Sequence, residues 1–294
     1  MREKINSTNA LVAYLDILGY SQLIKSGEYA NIVYAAIDSS IFRWAAYADK
    51  KKFNIGAIVR KHLELQIISD AFIVTLDFEK VISENGEGGS AFKNIVLMIF
   101  FDLISYLIQD CMREIKLPIR GAVACGKYYS QEFRSLEKNA FIFSEALVEA
   151  YTLAEEMADV PRVLIDKSVL NYMLPTRITG IRPDREILYD VDGLPYLNIY
   201  ASIFTNEALI PILQAIASVI NSNSEKHQNN PKILRKYHWL ANFHNKIANE
   251  IIVVYRKKPI FESHTQKLEA VIIDIPTIYQ TGFPDWAIVN QRKE

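Results

Sequence analysis

Two aspartates in the sequence stand where carboxylates could bind a cation. Asp16 lies in the middle of the apolar stretch "AYLDILGYSQLI", and Asp70 lies between the apolar runs "HLELQI" and "AFIVTL". A carboxylate taken out of water is costly unless a positive or hydrogen-bonding group meets it. Two carboxylates that converge would also repel each other, and one or two divalent ions would remove that conflict. Such a pair is typical of sites in which Mg²⁺ holds substrate phosphates.

The elements around these aspartates predict that both carboxylates reach one end of a sheet. A strand over 10–17 carries Asp16, a helix follows over about 21–50, and two strands over 62–77 flank Asp70. In a β-α-β-β sheet the first and third strands are commonly neighbours, so the two aspartates would meet. The turn "ILGYS" would offer its N–H groups and a helix N-terminus to a polyphosphate. The alternative is that each aspartate only caps a turn or a helix.

The rest of the chain predicts an α+β fold. Segment 92–115 is very hydrophobic, but charged residues interrupt it before an uncharged run reaches the roughly 18 to 20 residues that a membrane span requires, so we expect a core helix. The first 200 residues give the order β-α-β-β-α-β-β-α-β, which is typical of helices covering one face of a largely antiparallel sheet. We expect residues 8–203 to form a catalytic-type domain and residues 204–294 to form a C-terminal helical extension and tail packed on it.

Composition excludes several classes of function. The formal net charge of -1 gives no footprint for sequence-independent nucleic-acid binding. The two cysteines, Cys111 and Cys125, are too few for a disulfide framework or a zinc site, and we expect reduced thiols. The start "MREKINSTNA" lacks the apolar core of a signal peptide, so a cytoplasmic location is expected. Neither a Ser-His-Asp set nor a Walker-type glycine-rich loop is present.

Several segments, in order along the chain, carry a resemblance to a known family. The stretches "LDILGYS", "SDAF", "RGAVACG" and "SEALVEAY" resemble the core of the class III nucleotidyl cyclases. Within that family the resemblance is closest to the bacterial pyrimidine cyclases of the Pycsar anti-phage system, through "RGAVACG", "ALVEAYTLAEE", "PRVLID" and "KYHWLANFHN". It spans about residues 10–250. The GGDEF-type hairpin of diguanylate cyclases is missing, since "ISD" replaces it.

This resemblance implies a ferredoxin-like core and a homodimer with its active sites at the subunit interface. It implies that Asp16 and Asp70 bind two Mg²⁺ or Mn²⁺ ions with the Ile17 carbonyl as a further ligand. The amides that would cradle the β- and γ-phosphates are those of Leu18, Gly19, Tyr20 and Ser21. The ribose 3′-hydroxyl of a nucleoside triphosphate would attack its own α-phosphorus and expel pyrophosphate. A separate effector would read the cyclic product.

The sequence departs from the family pattern on the helix that follows the fifth strand. Adenylate and guanylate cyclases carry there an Asn that orients the ribose and an Arg that stabilises the transition state. An ungapped alignment puts Val148 and Thr152 at those positions, and neither side chain can do that work. Glu149, Tyr151 or a cation from elsewhere must substitute, or the protein is catalytically inactive. The candidate cations are Arg120 and Lys127, although Arg120 could equally only pair with a carboxylate.

Base recognition is the second departure. Purine cyclases read the base with a Lys or Glu four residues before the second metal aspartate and with a polar partner ahead of the Asn position. Here those positions hold Gln66 and Phe141. An amide can pair with the polar edge of uracil or cytosine, and an aromatic ring can stack on it. Strand alternation alone would also put a polar residue at position 66.

The leading hypothesis is a homodimeric pyrimidine nucleotide cyclase that makes 3′,5′-cyclic UMP, or cyclic CMP, as a second messenger in anti-phage defence. Within the enzymes, the alternative is a purine cyclase. From a different class, the alternative is a nucleotide-binding module that has kept the fold and lost turnover.

Overall fold

The computed structural model describes residues 7–20, 29–50, 55–84, 89–132, 140–173, 183–201, 209–256 and 272–273. The strands are β1 (Thr8–Ile17), β2 (Leu63–Ile68), β3 (Ala71–Leu76), β4 (Ile119–Glu132), β5 (Ala140–Ser144), β6 (Val163–Ile165), β7 (Ile187–Tyr189) and β8 (Pro195–Leu197). The helices are α1 (Tyr29–Lys50), α2 (Ile55–Lys61), α3 (Phe78–Glu84), α4 (Ser90–Ile115), α5 (Glu145–Met157), α6 (Lys167–Leu170), α7 (Pro183–Glu186), α8 (Leu209–Lys226) and α9 (Pro231–Arg256).

The strands form a sheet with the order β2-β3-β1-β4-β6-β8-β7, and β5 pairs with β4 off this path. The pairs β2–β3, β3–β1 and β1–β4 are antiparallel, whereas β4 and β6 are parallel. With α1 after β1 and α4 after β3, the first four strands have the β-α-β-β-α-β connectivity of a ferredoxin-like fold. The predicted α+β class and the predicted adjacency of β1 and β3 are therefore confirmed. The short helices α2, α3, α6 and α7 were not predicted.

Alternation along β1 sends two sets of side chains to opposite faces of the sheet. Leu11, Ala13, Leu15 and Ile17 belong to the main core together with residues of α1 and α4. Ala10 and Val12 belong to a smaller cluster with Ala146 of α5. The same alternation puts Asp16 on the α5 side, so the periodicity that builds the core also turns this carboxylate away from it.

The predicted core helix is α4, and it is the one helix of the described residues that is long and apolar enough to cross a membrane. Within the fold 89% of its most apolar window is buried. Its buried Asp110 is paired with Arg43 of α1 at 2.7 Å and with Arg113 at 3.1 Å. The helix ends where Lys116 adopts a left-handed conformation, φ 64°.

The C-terminal helices pack directly on the core. The Asn223 amide of α8 donates to the Lys116 carbonyl at 3.1 Å, and the Trp239 indole of α9 donates to Asp190 at 2.9 Å. Tyr200 and His244 share a buried hydrogen bond of 3.0 Å. The predicted division at residues 203 and 204 falls outside the described residues and stays a prediction.

Candidate active site

Asp16 meets a cation from the neighbouring strand. It lies opposite Arg120 in the β1–β4 pair, and the Arg120 Nε donates to its Oδ2 at 2.9 Å. The strands can approach here because residue 121 is glycine: a Cβ at Gly121 would lie 2.2 Å from the Tyr14 carbonyl oxygen. Arg120 therefore offsets part of the free-energy cost of burying Asp16. This is the carboxylate pairing that the sequence allowed for Arg120.

Asp70 reaches the same end of the sheet through its backbone. It follows Ser69 in the tight turn between β2 and β3, where Ser69 has a φ of 59°, unusual for a residue other than glycine. The Ile17 amide donates to the Asp70 carbonyl at 3.0 Å. This bond ties Asp70 to the residue after Asp16, so the two aspartates lie at the same end of the sheet, as predicted, and their joint binding of metal ions stays a prediction.

The charges around Asp16 remain incompletely balanced. Burial raises the pKa of Asp16, the Arg120 guanidinium opposes this rise, and the negative charges of Asp70 and Glu155 add to it. Burial, with the same three carboxylates nearby, raises the pKa of Tyr14 to about 12. The site therefore gathers more negative charge than Arg120 neutralises, which is an environment suited to an additional cation.

Helix α5 supplies the other wall of the site. The Tyr151 ring meets the Tyr14 ring edge-on, with ring centroids 5.2 Å apart. One turn further, Glu155 accepts from the Arg120 Nη2 at 2.6 Å, so Arg120 bridges Glu155 and Asp16. Sequence analysis missed Glu155, although its spacing from Val148 and Thr152, i+7 and i+3, would have put it on the same helical face.

The turn after β1 only partly matches the predicted phosphate cradle. The Leu18 amide donates to the Pro118 carbonyl at 3.0 Å, so this N–H is engaged within the fold, and the phosphate-binding role of Leu18 stays a prediction. Gly19 has a φ of +88°, which favours glycine, and is exposed. Tyr20 follows it, and Ser21 lies outside the described residues.

The remaining predicted residues lie at different places in the sheet and on α5. Gln66 is opposite Ile73, which is opposite Tyr14, so Gln66 is on the same sheet face as Asp16. In β5 the Phe141 backbone pairs with Gln131 of β4, and the side chain of Phe141 is outside the described set. Glu149 is exposed on α5. Lys127 pairs with Asn9 at the opposite end of β1, so it is not a cation of this site.

The donor set fits a hard divalent cation. Carboxylates and carbonyls suit Mg²⁺ and Mn²⁺, and Mg²⁺ usually takes one or two carboxylates and completes its shell with water and substrate phosphates. Among the described residues no group of three or more His, Cys, Asp or Glu could hold a metal ion without other ligands. Ions at Asp16 and Asp70 would therefore depend on backbone carbonyls, water and substrate.

The raised pKa of Asp16 predicts how the stability of the metal-free protein depends on pH. Because the folded state holds this proton more tightly than the unfolded state, the contribution of Asp16 to the unfolding free energy declines as pH rises from about 4 through the folded pKa. Asp16→Asn mimics the protonated form and should become at least as stable as the wild type at pH 7. Urea unfolding in EDTA between pH 4 and 7 measures the difference. The unfolding free energy of Asp16→Asn minus that of the wild type should be larger at pH 7 than at pH 4. A smaller difference at pH 7 would contradict the prediction.

Comparison with known proteins gives structural neighbours only. No protein-family model matches the sequence, and no curated protein matches it. The adenylyl cyclase CyaB from P. aeruginosa matches with a TM-score of 0.41 and 11% identity, over 66% of this chain and 95% of that chain. A bacterial light-regulated adenylyl cyclase gives 0.40 and 15%, over 74% of this chain and 59% of that chain. The dimeric guanylyl cyclase domain of RhoGC from the aquatic fungus Blastocladiella emersonii gives 0.39 and 12%, over 66% and 96%. The function is therefore inferred from the side chains of the site.

Proposed function

We propose that the protein is a nucleotidyl cyclase that acts on a pyrimidine nucleoside triphosphate, UTP before CTP, and releases pyrophosphate and a 3′,5′-cyclic nucleotide. The observation that supports this proposal is that Asp16 and Asp70 lie at one sheet end, where Asp16 is opposite Ala71 and the Ile17 amide donates to the Asp70 carbonyl. The incompletely balanced charge around Asp16 supports it further. The product would serve as a second messenger in anti-phage defence, read by a separate effector.

In this proposal Asp16, Asp70 and the Ile17 carbonyl hold two Mg²⁺ or Mn²⁺ ions, which would neutralise the triphosphate and activate the attacking 3′-oxygen. Arg120, hydrogen-bonded to Asp16 and Glu155, would offer its guanidinium to the phosphates in place of the Arg missing from α5. Tyr151 would limit access of water to the reacting atoms. The reaction asks mainly for positioning and electrostatic stabilisation, so few other side chains need take part.

Gln66 supports the choice of a pyrimidine. It is half-buried on the sheet face that carries Asp16, and its amide both donates and accepts hydrogen bonds. The amide could pair with the polar edge of uracil or cytosine. Ile142, next to Phe141, belongs to the same small apolar cluster as Ile73, which lies opposite Gln66, so β5 returns toward this part of the sheet. Phe141 is proposed as a stacking partner for the base.

Exposed apolar side chains support a homodimer. Large hydrophobic residues of β2, β5 and α5 remain open to solvent, namely Ile68 at 60%, Phe143 at 59%, Val148 at 65% and Tyr151 at 50% exposure. Because Ile68 immediately precedes the Asp70 turn and Tyr151 contacts Tyr14, this apolar surface borders the site. A second copy of the chain covering it would enclose the nucleotide. Sedimentation of the purified protein at several concentrations tests this part of the proposal.

The catalytic proposal is tested by incubating the purified protein with each of the four ribonucleoside triphosphates and Mn²⁺. Mass spectrometry and retention time would identify the product. A cyclic pyrimidine nucleotide is the expected result, and a cyclic purine nucleotide would favour the purine-cyclase alternative. The apolar and hydroxyl side chains of Val148 and Thr152 favour the second alternative, an inactive nucleotide-binding module. Its signature would be a metal-dependent thermal shift with nucleotide and no turnover.

Gln66→Ala tests the reading of the base. Removing the amide should lower the preference for the favoured pyrimidine over the other bases by about tenfold. A site that selects a base by hydrogen bonds selects less well when the side chain that makes those bonds is removed. Competition between UTP, CTP and ATP in one reaction measures the preference. Unchanged discrimination would assign Gln66 to an ordinary polar strand position. Gln214→Ala, the same change at an exposed position of α8, is the matched control.

A further inference from the structure

The C-terminal helix α9 brings basic side chains to the end of the sheet that carries Asp16. The Arg235 Nη2 pairs with the Asp159 Oδ2 at 2.7 Å, and Asp159 follows the end of α5. One turn earlier on α5, Glu155 holds Arg120 at 2.6 Å. Two ion pairs thus join α9, α5 and β4, and the first turns of α9 come close to Arg120.

Lys236 lies on the inner face of this helix. Trp239, Leu240 and Phe243 follow it at i+3, i+4 and i+7, which puts all four residues on one stripe of α9. Leu240 and Phe243 are buried, and Trp239 donates to Asp190. Lys236 stands one turn before these packed residues and next to Arg235, whose ion pair with Asp159 places this part of α9 beside the segment that follows α5. The packing of α9 therefore fixes where this ammonium can reach.

The charges near Lys236 leave it without compensation. Its side chain is half-buried, and among the described residues it takes part in no ion pair. Burial lowers the pKa of Lys236, the cations Arg120, Lys232 and Arg235 add to the decrease, and only Asp159 opposes it. Asp159 is already paired with Arg235, and Glu155 with Arg120. Binding of an anion next to Lys236 would stabilise its charged form, because the lysine is half-buried and has cations around it.

We propose that Lys236 binds the phosphate chain of the nucleoside triphosphate, so that the C-terminal extension completes the active site of its own chain. This inference rests on the proposed function and adds a residue that the resemblance does not supply. The chemistry suits it, because a lysine ammonium is a point charge with three donors and can serve a phosphate whose other oxygens are bound to metal ions. Arg120 and Lys236 would then contact the phosphates from β4 and from α9.

The experiment is a calorimetric titration of the full chain with inorganic tripolyphosphate and Mg²⁺. The variants are Lys236→Gln, Lys236→Arg and, as a matched loss of one lysine charge, Lys80→Gln. In the wild type Lys80 pairs with Asp77 near the start of β1, away from Asp16. We expect Lys236→Gln to weaken binding by about tenfold or more, as for the loss of one charge-assisted contact, and the other two to stay within about threefold of the wild type. Lys236→Gln should unfold at a temperature no lower than the wild type, because it removes a half-buried cation that has no ion-pair partner among the described residues.

Wild-type affinity in Lys236→Gln, or failure of the wild type to bind tripolyphosphate, would overturn the inference. The titration requires neither base recognition nor turnover, so its result is separable from the proposed function. If no cyclic nucleotide forms while tripolyphosphate binding depends on Lys236, the anion site stands and the cyclase proposal fails. If cyclic product forms and binding is independent of Lys236, only the inference about Lys236 fails. With turnover, a higher KM for the triphosphate in Lys236→Gln than in Lys236→Arg would support the inference.

Discussion

Asp16→Asn and Asp70→Asn are each expected to lower the rate of cyclic nucleotide formation by about 1,000-fold or more. Asp16 and Asp70 lie at one end of the sheet, where the Ile17 amide donates to the Asp70 carbonyl. An amide keeps the size of the carboxyl group but loses the charge that would hold a divalent ion. Neither variant should unfold the protein, because Asp16 carries a raised pKa and Asp70 is only half-buried in a turn.

The measurement is the initial rate of cyclic product with Mn²⁺ for the wild type, both variants and Asp38→Asn. Asp38 is exposed on α1, so its change to Asn removes one carboxylate away from the sheet end and should leave the rate unchanged. In parallel, Mn²⁺ should raise the Tm of the wild type and of Asp38→Asn more than that of either site variant. Residual activity above about a tenth of wild type in both site variants would mean that these carboxylates do not bind the essential metal.

The sequence was informative about the site where the geometry depends on strand order. The apolar alternation around 10–17 and 62–77 predicts β1, β2 and β3, and the β-α-β-β order predicts that Asp16 and Asp70 meet, as they do. Arg120 was a candidate cation whose place at the start of a strand also allowed simple pairing with a carboxylate, and it lies directly opposite Asp16. Local periodicity is sufficient for contacts between neighbouring strands, since register and face follow from it.

Contacts that depend on how helices pack were not predictable in the same way. Glu155 reaches Arg120 because α5 lies across β1 and β4, and the start of α9 is linked to the segment after α5 by the Arg235–Asp159 ion pair. Leu18 was assigned to the phosphates, but its amide is used by Pro118, the residue before β4. Such backbone pairing follows from the close approach of two chain segments, which neither composition nor spacing encodes.

A buried ion-pair network holds α9 in the position that Lys236 requires. Arg162, which is 5% exposed, donates from Nη1 to the Asp190 Oδ2 at 2.7 Å and from Nη2 to the Asp192 Oδ2 at 2.5 Å. Asp190 also accepts from the Trp239 indole at 2.9 Å. One carboxylate therefore joins the segment before β6 to the C-terminal helix.

Asp190→Ala is expected to lower the free energy of unfolding by about 3 to 5 kcal/mol, because it leaves the Arg162 guanidinium buried with only the half-exposed Asp192 as a carboxylate partner. The Tm should fall by roughly 10 °C. Asp159→Ala removes the exposed pair with Arg235 and should cost less than about 1 kcal/mol, so the two variants compare a buried with an exposed aspartate–arginine pair. If Asp190→Ala and Asp159→Ala lost equal unfolding free energy in urea and had equal Tm values, the stabilising role of the buried network would be contradicted. Because Trp239 and Lys236 share one stripe of α9, Asp190→Ala should also weaken tripolyphosphate binding at temperatures where the protein is still folded.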